Sequence, residues 1–79
     1  MPRYYFTAED GRTYPDRHGT ELPDTAAARL HAVRALGELL NAAPEAFWEN
    51  EALSLTVCDE DRLTLFRLEV MAVVSPAAR

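Results

Sequence analysis

Apolar and polar residues alternate from Leu53 to Cys58, and again from Leu63 to about Val73, with Asp59-Glu60-Asp61-Arg62 between the two runs. A period of two marks a strand with one buried face, so the runs are expected to pair as an antiparallel hairpin. A four-residue loop sets Cys58 against Leu63, Thr56 against Leu65 and Ser54 against Arg67. One face then collects Leu53, Leu55, Val57, Phe66, Leu68 and Val70, with Thr64 as its polar member. The other collects Ser54, Thr56, Cys58, Leu63, Leu65, Arg67, Glu69 and Met71. A slip of one residue would mix the two sets. An apolar sheet face also demands a second layer to cover it.

The segment from about Thr25 to Asn41 supplies that layer. At about 100° per residue, Ala26, Leu30, Val33, Leu36 and Leu40 share one helical arc, widened by Leu39 and Ala32. His31, Arg34, Glu38 and Asn41 fall on the opposite, solvated arc. Asp24 or Thr25 is placed to cap the free N–H groups of the first turn. Arg29 breaks the pattern by lying inside the apolar arc. Its plain reading is a stem on apolar surface with the charge in water. The sharper reading makes Arg29 and Asp24 structural anchors, with Arg29 pairing Glu21, Asp16 or Asp24 and holding the Asp16–Asp24 segment to the helix.

Before the helix, Arg3 to Ala8 reads as a strand, with Tyr4, Phe6 and Ala8 on the core side. Asp10-Gly11 fits a two-residue turn, which pairs Glu9 with Arg12, Ala8 with Thr13 and Thr7 with Tyr14. Pro15 cannot donate to a ladder and confines the second strand to an edge. After the helix, Ala42-Ala43-Pro44 is a stop. Glu45 to Glu51 is expected to make a loose turn, from which Phe47 or Trp48 closes the end of the core. The fold class is therefore α+β: a two-layer ββαββ domain over residues 1–74, with one amphipathic helix on one sheet face and a frayed tail over 75–79. The order of the strands in space is left open.

The chain has 79 residues, a net charge of −5 and a single cysteine. One core of that size contributes about 3–5 kcal/mol unaided. Cys58 has no partner for an internal disulfide, and Cys58, His18 and His31 lack the spacing of a zinc site. Self-association is the remaining way to add stability, so a homo-oligomer or protein partner is expected and no cofactor. The acidic balance opposes phosphate backbones, which argues against nucleic acid. The absence of a long apolar run argues against a membrane span. A lone cysteine and no signal-like opening point to a cytoplasmic protein.

No catalytic or metal constellation stands out. Cys58 sits at a strand end beside the carboxylates of Asp59, Glu60 and Asp61, the opposite of the cationic setting a reactive cysteine needs, so packing explains it better than nucleophilic chemistry. Three consecutive acids in a hairpin mostly diverge, and a solvated loop explains them better than a cation site. The face turned from the helix gathers Tyr5, Tyr14, Cys58, Leu63, Leu65 and Met71, and nothing in the chain remains to cover it. Contiguous exposed apolar surface commonly marks a contact, which makes this the expected interaction face.

The opening Met1-Pro2-Arg3-Tyr4-Tyr5-Phe6, the step Asp16-x-x-Gly19-x-Glu21-Leu22-Pro23-Asp24 and the turn Ala27-Ala28-Arg29 resemble a family of short bacterial domains of unknown function. Val57-x-Asp59-Glu60 fits the same pattern. The resemblance implies a domain and no activity. Two departures are a loop at Asp59–Arg62 without the glycine usual there and a longer, more aromatic connection over Ala43–Glu51. The resulting expectation is a non-enzymatic protein-interaction module acting as a homodimer. The alternative is a small ligand binder or enzyme whose site forms at an oligomer interface.

Overall fold

In the computed structural model, which describes residues 1–78, the chain forms strands β1 (Arg3–Glu9), β2 (Thr13–Tyr14) and β3 (Thr20–Glu21), helices α1 (Thr25–Ala42) and α2 (Pro44–Asn50), and strands β4 (Ala52–Cys58) and β5 (Thr64–Met71). The five strands make one antiparallel sheet in the order β2-β1-β4-β5, with β3 also paired to β1. The α+β class stands, and β3 and α2 are additions to the ββαββ reading. Of the tail expected to fray, Pro76–Ala78 forms a 3-10 turn, and Arg79 lies outside the described residues.

The β4–β5 hairpin sorts its faces as the alternation requires, but in a register two residues away. Asp59 N–H donates to the Leu63 carbonyl at 3.0 Å and Arg62 N–H to the Asp59 carbonyl at 3.1 Å. The turn thus tightens around Glu60–Arg62, and Cys58 faces Thr64 rather than Leu63. Arg62 takes the left-handed conformation, φ 66°, that a glycine would normally supply. Leu65 then bulges out, so that Val57 faces Phe66 and Ser54 faces Glu69. The loop and the bulge each shift the pairing by one residue. Their sum is even, and the apolar face is restored beyond the bulge.

The first hairpin has the same kind of shift without a correction. Its loop holds three residues, Asp10 to Arg12, with Gly11 at φ 97°. Glu9 faces Thr13 and Ala8 faces Tyr14. Tyr14 therefore shares the face of Ala8, toward the helix, and the expected pairing of Thr7 with Tyr14 is corrected.

The core lies between β1, β4 and α1: Tyr4, Ala8, Leu53, Leu55 and Val57 from the sheet, and Ala28, Ala32 and Leu36 from the helix. Helix α1 is turned roughly 100°, one residue's step, from the expected orientation. Ala28 and Ala32 are fully buried, whereas Leu30 and Val33 are 59% and 60% exposed. Large side chains on the sheet fill the space between layers, and only a small-residue stripe lets the helix come close. His31, expected in solvent, is half-buried with its ring 4.7 Å from that of Phe6. Phe47 of α2 packs on the open end of the core, while Trp48 beside it stays exposed.

Candidate functional site

The segment Asp16–Asp24 carries a dense set of polar contacts, most of which build the edge of the sheet. Continuing the β1–β2 register would place His18 opposite Tyr4, yet Thr20 stands there. Two extra residues are therefore looped out between β2 and β3. Phe6 N–H, facing that gap, donates to Asp16 Oδ2 at 3.0 Å. Asp16 Oδ1 accepts from His18 N–H at 3.1 Å and Gly19 N–H at 2.9 Å. The carboxylate thus replaces a missing stretch of strand. Burial alone would push the Asp16 pKa up, but the N–H groups of Gly19, Phe6 and His18 and the nearby His18 charge outweigh it and hold the carboxyl below its ordinary value.

The neighbouring charges serve the same edge. Arg3 donates to the His18 carbonyl at 2.7 Å and to Glu21 at 2.8 Å. Leu22 N–H donates to the Pro2 carbonyl at 3.0 Å, and Asp24 caps α1 by accepting from Ala27 N–H at 2.9 Å. The expected Arg29 anchor is corrected: Arg29 is exposed and makes no salt bridge or side-chain hydrogen bond among the described residues. The rotation of α1 sets it on the flank turned away from β1 to β3, and Asp16, Glu21 and Asp24 are engaged elsewhere.

The expected interaction face is dispersed. Tyr5 and Cys58 sit opposite each other in the ladder, with the Arg62 guanidinium 5.0 Å above the Tyr5 ring. Cys58 Sγ lies 3.7 Å from Thr64 Oγ1. Beyond them the face is polar, through Thr7, Thr56, Ser54, Arg67 and Glu69. Arg67 donates to Ser54 Oγ at 3.2 Å and pairs with Glu69 at 3.1 Å. Tyr14 is on the helix side. Leu65, at the bulge, borders a groove with Pro2, Tyr4 and Thr25. Leu63 lies exposed in the loop and Met71 at the far end of β5. The residues are not one patch: one-residue shifts take Tyr14 and Leu65 off this face, and Thr56, Arg67, Ser54 and Glu69 separate Met71 from Tyr5 and Cys58.

The acidic loop turns inward on its own backbone. Asp59 Oδ1 accepts from Asp61 N–H at 2.9 Å and Leu63 N–H at 3.1 Å, and Glu60 accepts from Arg3 N–H at 3.3 Å. No group of three His, Cys, Asp or Glu side chains converges as a metal site among the described residues. Tyr14 instead joins Ala8, Leu39, Leu40, Ala43, Phe47 and Leu53 around an apolar cleft of about 290 Å³, at the lower limit of ligand pockets. Among the described residues, Asp10 is its one charged neighbour.

The two borders of the sheet differ sharply. The β1 border is closed by β2, the Asp16 carboxylate and β3. The β5 border carries eight residues, and among the described residues no strand lies beyond them. Ala72 N–H donates to the Glu51 carbonyl at 2.9 Å, which fixes the phase of the ladder. Phe66, Leu68 and Val70 turn their backbone groups to β4, and Arg67, Glu69 and Met71 turn theirs outward. On the helix side, Phe66, Leu68 and Val70 are only half-buried. Alternation shows the strand but gives no sign of which strand ends up last, so this edge is not visible in the sequence.

Among the described residues, no helix is long and apolar enough to cross a membrane. No curated protein and no solved structure matches the chain. Residues 3–72 match DUF6894, a domain of unknown function, and a match over that much of the chain means that it belongs to this family.

Proposed function

We propose that this domain is a non-enzymatic protein-interaction module that acts as a homodimer and associates through the free edge of its sheet. The observation that carries this reading is the open β5 border, eight residues long, beside a half-covered apolar row. Unpaired N–H and C=O groups on a long edge strand are a template for another strand. Natural monomers blunt such edges, and the β1 border here is blunted by a two-residue strand on each side of the Asp16 bulge. The carboxylates also support a structural reading of the polar groups: Asp16, Asp24, Asp59 and Glu60 all accept backbone N–H groups. A core this small gains stability from a partner chain.

Sedimentation equilibrium tests the proposal. The wild type at tens of micromolar is expected at about twice the mass of one chain. Glu69→Pro removes an outward N–H without touching the β4 ladder, and is expected to return the protein to a monomer with unchanged far-UV circular dichroism. A wild type that stays monomeric at that concentration contradicts the proposal.

A further inference from the structure

We infer that the partner is a second copy of this chain, and that the two β5 strands pair antiparallel in a register centred on Leu68, an inference that rests on the dimeric reading above. The outward backbone groups belong to Arg67, Glu69 and Met71. An antiparallel pair forms hydrogen bonds only where outward residues face outward residues. Centring on Leu68 sets Arg67 opposite the partner's Glu69 and Glu69 opposite the partner's Arg67. These two pairs exchange about four backbone hydrogen bonds. Arg67 and Glu69 already bond along the strand at 3.1 Å, so the dimer would close a ring of four alternating charges on the polar face.

The nearest registers with the same hydrogen-bond phase fail on charge. One sets Arg67 against the partner's Arg67, and the other sets Glu69 against the partner's Glu69. Like charges directly opposite one another destabilise a pair of strands. All three registers are two-fold, and of the three only the one centred on Leu68 sets opposite charges against each other.

The apolar face agrees with the charged one. In this register Phe66 stands opposite the partner's Val70, and Leu68 opposite the partner's Leu68, all on the helix side. Aromatic and β-branched residues make good cross-strand pairs. The two half-covered rows become neighbours and shield each other. A two-fold axis normal to the sheet keeps both helices on one side. Parallel pairing would turn one chain over and set its apolar row beside the partner's Arg67 and Glu69. Helix α1 supports the same arrangement. Its His31–Ala35–Glu38–Ala42 flank borders Phe6 and Ala8 of β1. Val33 and Arg29 therefore lie on the opposite flank, toward β5, where Val33 is 60% exposed in a single chain, on the side where the partner's apolar row would extend the sheet.

The test is a cysteine scan in a Cys58→Ser background, with Arg67→Cys, Leu68→Cys and Glu69→Cys made separately and oxidised at tens of micromolar. Leu68 is at the two-fold in a pair without hydrogen bonds, where Cα atoms stand about 4.5 Å apart, within disulfide reach. Leu68→Cys is expected to cross-link to more than about half of the chains, and at least tenfold faster than either neighbour. Preferential cross-linking at 67 or 69 overturns the register and leaves the edge dimer intact. A dimer by sedimentation that cross-links at none of the three overturns edge pairing. A monomer by sedimentation overturns the functional reading itself. Charge reversal gives a second readout independent of cysteine packing. Arg67→Glu alone and Glu69→Arg alone are each expected to weaken the dimer about tenfold, and mixing the two variants to restore it. Failure of the mixture to associate overturns the charge pairing.

Discussion

Gly19→Ala is expected to cost about 3 kcal/mol, a large part of the stability of a domain this size. Gly19 has φ 72°, a conformation that costs an L-residue about 1–2 kcal/mol. A Cβ there would also stand 2.8 Å from Arg3 Cγ, 2.9 Å from the Tyr4 carbonyl oxygen and 3.0 Å from Tyr5 Cε1. Arginine can swing aside, but the Tyr4 carbonyl belongs to β1 and cannot move without disturbing the sheet. Thermal unfolding measures the effect, and a midpoint lowered by about 12–20 °C is expected. A fall of less than about 4 °C would show that the chain does not pass this close to β1.

Asp16→Ala is the second large effect, expected at about 2–3 kcal/mol. It strips the acceptor from three backbone N–H groups, those of Phe6, His18 and Gly19, and the first lies at the partly buried edge of β1. The same carboxylate gives a pH signature whose sign follows from its lowered folded pKa. Its ordinary value in an unfolded chain is about 3.9. The stabilisation is complete above that value and is lost as the pH falls through the lower folded value. Urea unfolding from pH 5 to 2.5 should therefore show a loss in the wild type that Asp16→Asn lacks. Equal slopes for the two proteins would rule out the carboxylate as the clasp.

Both substitutions fall in the Asp16–Asp24 segment, whose residues stand out in the sequence as a motif. The structure gives that motif an architectural role. Asp16 and Gly19 shape the bulge, Glu21 holds Arg3, Leu22 bonds to Pro2, and Asp24 starts the helix. Closing one border of the sheet is what leaves β5 as the other.

Much of the fold is legible from periodicity. Alternation in Leu53–Cys58 and Leu63–Val73 places both strands and their core face, and Asp24 and Pro44 bracket α1. Orientation is harder to read, because α1 has two apolar arcs. Leucine and valine dominate one, but Ala28, Ala32 and Ala35 suit the space above Tyr4, Phe6 and Leu55, which no single helix can reveal. Turn length is the other obstacle. Arg62 adopts a glycine-like conformation without being glycine, which tightens the loop and calls for the Leu65 bulge. A one-residue difference in loop length there, and another at Asp10–Arg12, set Leu65 and Tyr14 off the face that simple alternation gives them. The β5 edge depends on strand order, a property of the whole chain, and no local pattern encodes it.

Amide hydrogen exchange resolved by residue, at a few micromolar and near one millimolar, tests the edge dimer most directly. Phe66, Leu68 and Val70 bond to β4 in the single chain and should be protected at both concentrations. Arg67 and Glu69 point outward and should owe their protection to the dimer alone, exchanging more slowly at the higher concentration than at the lower. If their exchange stays fast at one millimolar, β5 is not the interface, and the account of this domain as a sheet-edge dimer is contradicted.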